Sequence, residues 1–167
     1  MTHEKLSPEE AEHEFWQHLK HGQTVMLGVD VAGHHTQPMT AFAEPESNLV
    51  WFFTRDDLDL VKEVAANGDG KFVLVSKDEK IYADIRGTLS ISRDKLRIDK
   101  YWNPMVAAWY PEGKDDPQLT LLRFVPDEGQ LWVSKQGLIR LAFQMAKAKL
   151  SKTMPNVGGV ADVNFKH

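Results

Sequence analysis

No cysteine occurs in this chain. That absence removes disulfide frameworks, thiolate metal sites and a cysteine nucleophile at one stroke, and it suits a reducing compartment. Long apolar runs are missing too. The richest, Leu49 to Phe53, has strand length and falls far short of the roughly 18 residues a membrane helix needs. The first residues, Met1 to Phe15, are charged and carry no apolar signal segment. The expectation is therefore a cytoplasmic protein with no membrane contact. An excess of positive charge is also lacking. The formal net charge is −4, and a general nucleic-acid binder needs clustered Lys and Arg to neutralise phosphates.

Several catalytic signatures are absent as well. There is no GxSxG for a serine nucleophile, no GxGxxG or GxxxxGK[ST] for a nucleotide, and no HExxH for zinc. The 7 histidines are scattered. His13 and His18 lie five apart, which puts them on different sides of a helix, and His34-His35 sits in a turn. No metal site is expected.

What is present is an ordinary globular composition, 42% hydrophobic and 26% charged, in 167 residues without repeats. This fits one domain, with a core over about 8–150 and a C-terminal tail over about 151–167. Ser7-Pro8-Glu9-Glu10 reads as a capping box, followed by Ala11, Phe15 and Leu19 on one helical face and Gly22 as a stop. The period then changes to two. Strands are predicted over Thr24 to Val31, Thr36 to Ala43 and Leu49 to Thr54, joined as an antiparallel meander. Asp56 or Asp57 is expected to cap a helix to Ala66 that buries Leu58, Val61 and Ala65.

Further strands follow over Lys71 to Ser76 and Lys80 to Ser90. A helix capped within Ser92-Arg93-Asp94 reaches Trp102 and is interrupted by Asn103-Pro104. Strands over Leu119 to Val125 and Gln130 to Ser134 come next. An amphipathic helix over Gly137 to Lys149 and a loosely ordered segment from Pro155 to His167 complete the chain. Seven short strands with small helices predict a mainly β protein, a split barrel of about six to seven antiparallel strands wrapped by helices. Its strand edges need cover, which a homodimer would supply.

Trp51, Phe52, Phe53, Trp102, Trp109, Tyr110 and Trp132 cluster near strand ends and loops. They serve either as core and interface packing or as a platform for a planar ring.

The string Gln37-Pro38-Met39, Trp51-Phe52-Phe53-Thr54, Lys80-Ile81-Tyr82 to Arg86-Gly87, Trp102-Asn103-Pro104, Trp109-Tyr110-Pro111-Glu112-Gly113 and Asp115-Asp116-Pro117 resembles the general stress protein branch of the pyridoxamine 5'-phosphate oxidase-like superfamily. The match runs in unchanged order over about residues 10–160. The resemblance implies a split-barrel homodimer with flavin, usually FMN and alternatively FAD, at the subunit interface. It places Gln37, Pro38, Met39 and Thr40 along the ring and ribityl chain, and Phe53 and Thr54 on the flavin edge. Tyr82 falls where relatives reach across the interface, and Trp102 lies in the shared WNP string.

The phosphate clamp departs from the pattern. Relatives carry a small polar residue and two basic ones where this chain has Leu58, Asp59 and Leu60, and the family favours arginine where Gln37 stands. Arg55, Lys62 and the following helix N-terminus are the substitutes at hand. Three readings follow: a flavin-binding stress protein open to redox chemistry; a degenerate, non-enzymatic dimer without tight flavin; and, ranked last, a pyridoxamine 5'-phosphate oxidase. No side chain is assigned a catalytic role.

Overall fold

The computed structural model describes residues 2–20, 22–134, 145–147, 149–150 and 156–166. A short strand, β1 (Thr2–Lys5), precedes helix α1 (Pro8–Leu19). The helix begins as its sequence dictates. Ser7 is extended, its Oγ accepts from the Glu10 amide at 3.2 Å, and Pro8 occupies the first turn. Ala11, Phe15 and Leu19 are buried, joined by Trp16. Of the histidines near the helix end, His21 lies outside the described residues.

Strand β2 (Thr24–Val29) is followed by β3 (Gln37–Thr40) and β4 (Phe42–Glu44) rather than by one strand to Ala43. The break is what closes the barrel. β3 pairs antiparallel with β2, whereas β4 pairs with β5 (Leu49–Arg55). A bend lets one chain segment leave one side of a twisted sheet and join the other. At the bend, Ala41 is fully buried and its amide donates to the Gln23 carbonyl at 2.9 Å. The expected three-strand meander is thus divided between two sides of the barrel.

Helix α2 (Asp59–Ala66) corrects a sequence expectation. Its N-cap is Leu58, with no side-chain hydrogen bond, and its buried residues are Leu60, Val61 and Val64 instead of Leu58, Val61 and Ala65. Asp56 and Asp57 do not cap it. They accept from Arg93 and Arg55 instead. β6 (Asp69–Val75) and β7 (Ile81–Ser92) form the next hairpin. Helix α3 (Lys95–Tyr101) is capped by Asp94, and α4 (Pro104–Ala107) by Asn103, whose Oδ1 accepts from the Val106 amide at 2.9 Å.

The two predicted strands from Leu119 to Ser134 are one, β8 (Leu119–Val133). Pro126 does not end it. It lies opposite Gly87 where the register shifts, so the missing N–H falls at a bulge. The segment expected to be a loose tail supplies β9 (Asn156–Asn164), which pairs antiparallel with β8 and parallel with β1. Burial explains the difference. Ala161, Val163 and Phe165 enter the core, where Phe165 meets Phe15 and Trp16 at ring distances of 5.5 and 6.0 Å. Of the predicted last helix, residues 137–144 lie outside the described residues, and 145–147 and 149–150 are helical.

The strand order is β1-β9-β8-β7-β6-β2-β3, and β5 pairs with both β4 and β8. The ring β2, β3–β4, β5, β8, β7, β6 therefore closes through the bend at Ala41. Leu27, Phe52, Phe72, Ile85 and Phe124 fill its interior, with Phe15 and Leu19 from α1 and Leu60 and Val64 from α2. The protein is mainly β, a largely antiparallel sheet curled into a barrel with helices around it. Among the described residues no helix is long and apolar enough to cross a membrane.

Candidate functional site

Strand β5 divides the molecule. Val50 and Phe52 face the barrel core, whereas Leu49, Trp51 and Phe53 face a second cluster with Ile98, Val106, Tyr110, Leu119 and Leu121. Alternation along a strand sends neighbours to opposite faces. In the second cluster the rings form a layer. Phe53 lies 5.6 Å from Phe42, 6.3 Å from Trp102 and 6.4 Å from Tyr110, and Trp102 lies 6.0 Å from Tyr110. Tyr110 donates its hydroxyl to the Thr54 carbonyl at 2.5 Å. Burial pushes its pKa up to about 12. Arg55 reaches over this layer, donating from Nη1 to the Trp109 carbonyl at 3.1 Å and from Nε to Asp57 Oδ1 at 3.2 Å.

Thr54 follows the other parity. It and its register partner Thr120 are buried, and neither hydroxyl has a hydrogen-bond partner among the described residues. A buried unpaired hydroxyl costs free energy, and these two sit on the barrel side of β5.

The remaining expected residues lie elsewhere in the single chain. Pro38 and Thr40 are exposed on the outer side of β3, whereas Gln37 and Met39 are half-buried, and the Gln37 amide donates to Met39 Sδ at 3.7 Å. Tyr82 is exposed on the outer face of β7, with Val75 and Trp132 as register neighbours. Lys62 is exposed on α2 and pairs with Asp59 at 3.7 Å. Phe53, Arg55 and Trp102 are thus brought together, Pro38, Thr40 and Tyr82 share the outer sheet face, and Lys62 stands apart on α2.

Sequence reading missed that outer face. Register places Pro38, Met26 and Val73 in one row, and Val75, Tyr82, Trp132 and Val160 in the next. Met26, Val73 and Tyr82 are exposed, and Val75 is 54% exposed. Asp84 lies beside Val73 in register, with one carboxylate oxygen buried and unpartnered among the described residues. The available signal was apolar residues at both parities of β6, Phe72 and Leu74 inward, Val73 and Val75 outward. Apolar residues on both faces of a strand mean that both faces are to be covered.

A second missed feature anchors α3. Glu44 is 2% exposed, yet its carboxylate accepts from Arg97 Nη2 at 3.1 Å, Arg97 Nε at 3.3 Å and the Tyr101 hydroxyl at 2.7 Å, with Lys100 Nζ at 3.6 Å. Burial pushes the Glu44 pKa up. The hydrogen bonds from Arg97 and Tyr101, and the charges of Lys100 and Arg97, outweigh it and hold the carboxyl below its ordinary 4.5. Burial, with Glu44 beside it, raises the Tyr101 phenol well above its usual range. Because the folded Glu44 pKa is depressed, its stabilisation is complete above the unfolded value and is lost as pH falls through the folded one. Glu44→Gln should cost about 2 kcal/mol at neutral pH through lost charge-assisted bonds. The gap to wild type should shrink in acid, which thermal melts between about pH 3 and pH 7 would show.

A groove of about 600 Å³ opens at the other end of the outer face, lined in part by Asp30, Asp69, Arg86, Asp127, Glu128 and Asp162. None of the expected site residues lines it, and its carboxylates suit no anionic ligand. Among the described residues no group of three or more His, Asp or Glu side chains could hold a metal ion.

The residues fit the two ends of a flavin unequally. The ring layer at Phe53, Trp102 and Tyr110 suits a planar ring, whereas the Thr54 hydroxyl lies on the opposite face of β5. The clamp positions do not suit a phosphate. Leu60 is 3% exposed and belongs to the barrel core, Leu58 is hydrocarbon, and Asp59 is an exposed carboxylate.

Comparison with known proteins agrees with the fold. The family described as pyridoxamine 5'-phosphate oxidase like matches residues 10–156. A structure assigned to general stress protein 26 from Jannaschia sp. CCS1 is 32% identical, covers 95% of this chain and 99% of its own, and superposes with a TM-score of 0.83. The general stress FMN/FAD binding protein from Xanthomonas citri is 40% identical over 78% of this chain and 93% of its own, with a TM-score of 0.70. A general stress family protein from Xanthomonas campestris pv. campestris is 41% identical over 80% and 93%, with a TM-score of 0.69. No curated protein matches the chain.

Proposed function

The chain belongs to the pyridoxamine 5'-phosphate oxidase-like family, in its general stress protein branch, and from that premise we propose that it is a cytoplasmic, homodimeric flavin-binding protein. The observation that carries the flavin is the 40% identity with a protein described as binding FMN or FAD. The ring layer of Phe53, Trp102 and Tyr110 beside Arg55 supports the same reading. The outer face carries the dimer. Met26, Val73, Val75 and Tyr82 form an exposed apolar surface on a wide sheet, and a second copy would cover it.

In this arrangement Pro38, Thr40 and Tyr82 come to the ligand from the interface side, and Phe53 and Trp102 from within the chain, with Thr54 contributing its place at the end of β5 rather than its buried hydroxyl. A bound flavin supplies electron transfer, and the protein supplies binding and orientation. Arg55 stands at the end of β5 near this layer, held by Asp57 and by the Trp109 carbonyl. A second reading, a dimer that has lost tight flavin binding, draws its support from Leu60 in the core and Asp59 at the turn.

Two measurements test the proposal together. The purified protein is expected to carry, or to take up, a flavin visible in its absorbance spectrum, and to scatter light as twice 19.0 kDa. Val75→Glu should bury a charge in the interface and weaken the dimer by at least about a hundredfold, or roughly 3 kcal/mol, with the monomer still folded. A wild-type monomer at micromolar concentration would reject the dimer. Failure to bind any flavin would leave the second reading.

A further inference from the structure

Resting on the flavin reading above, we infer that this chain holds the ring and ribityl chain of a flavin but leaves its terminal phosphate unheld, because Asp57 and Asp59 occupy the cations that would take it. A phosphate-free flavin of the riboflavin class then binds as tightly as FMN.

A phosphate carries nearly two negative charges and is held by charge-assisted donors. The segment after Thr54 is where such donors would stand. Leu60 offers none, and its place in the barrel core keeps it from the surface. Leu58 offers none either. Asp57 and Asp59 have side chains 56% and 91% exposed, so their negative charge is directed outward.

Each cation nearby already faces a carboxylate. Arg55 Nε bonds Asp57 Oδ1 at 3.2 Å, and its Nη1 bonds the Trp109 carbonyl at 3.1 Å. Lys62 pairs with Asp59 at 3.7 Å, and Arg93 pairs with Asp56. Three carboxylates against three cations leave no net positive charge for an anion. In the first turn of α2 the Val61 amide already donates to the Leu58 carbonyl at 3.1 Å, and Asp59 sits in that same turn and repels what the other amides would attract.

The test is a fluorescence titration of the full-length protein with riboflavin and with FMN. The two dissociation constants should agree within about threefold, and the FMN value should change little when salt is raised, since no phosphate ion pair is there to screen. Asp57→Asn combined with Asp59→Asn removes two exposed charges and frees Arg55 and Lys62. FMN should then tighten about tenfold, with riboflavin unchanged. An FMN affinity ten times or more above riboflavin's in the wild type overturns the inference, and so does a double variant that leaves FMN binding as it was. If neither flavin binds, the flavin reading itself falls, an outcome distinct from both.

Discussion

Replacing Leu60 with lysine is expected to destabilise the fold rather than to supply a phosphate contact. Viewed along the chain alone, position 60 stands where relatives carry a basic residue, and a lysine there promises one charge-assisted bond. In the folded protein Leu60 is 3% exposed and packs with Val64 into the barrel core. Removing a buried leucine side chain costs about 2–5 kcal/mol. A lysine can return part of its stem to the same space, but its ammonium must reach water or stay unpaired. A net loss of about 4 kcal/mol is a large part of the roughly 5–15 kcal/mol that holds a typical domain folded. In a chain of this size it should lower the melting temperature by about 8–16 °C. Leu60→Met keeps the volume and should cost less than about 1.5 kcal/mol. Melting curves and an FMN titration of the folded fraction check both. A lysine variant that melted like wild type and bound FMN more tightly would put residue 60 on the surface and refute the helix face described above.

Gly87→Ala should be comparably damaging for a different reason. Gly87 pairs with Pro126 at the register shift between β7 and β8. A Cβ there would stand 2.2 Å from the Val125 carbonyl oxygen and 2.8 Å from Phe124 Cζ. The first obstacle is strand backbone and the second a fully buried ring in contact with Phe72 at 5.0 Å. Neither can yield by a simple rotamer change. Overpacking in a dense core costs about 1–3 kcal/mol and occasionally more, and a backbone obstacle at this distance puts the expectation near 3 kcal/mol. Urea unfolding should show the loss as a lower midpoint with an unchanged slope. An unchanged midpoint would mean that β7 and β8 do not approach so closely here. The Arg86-Gly87 pair of the family string thus contains a glycine that close strand approach requires.

Local chemistry was legible in the sequence. The Ser7 cap, the α1 face, the cap within Ser92-Arg93-Asp94 and the inward period of β2 depend on hydrogen bonds and side-chain spacing within a few residues, whereas Asn103, expected to interrupt a helix, caps a new one. The ordered strings from Gln37 to Pro117 carried the family, and with it the barrel. Tertiary structure alone decided what depends on partners far along the chain. Whether Pro126 ends a strand turns on Gly87 opposite it. Whether 156–164 is a tail or a strand turns on the free edge of β8. Which face of α2 is buried turns on the barrel wall it meets, and this moved Leu60 from a candidate clamp to the core. The candidate site divided the same way. Phe53, Arg55 and Trp102 meet because β5 lies against α3 and α4, whereas Pro38, Thr40 and Tyr82 lie on an outer face whose apolar rows no local pattern reveals. Side-chain alternation says that two faces exist, and only the pairing of strands from six parts of the chain says which residues share one.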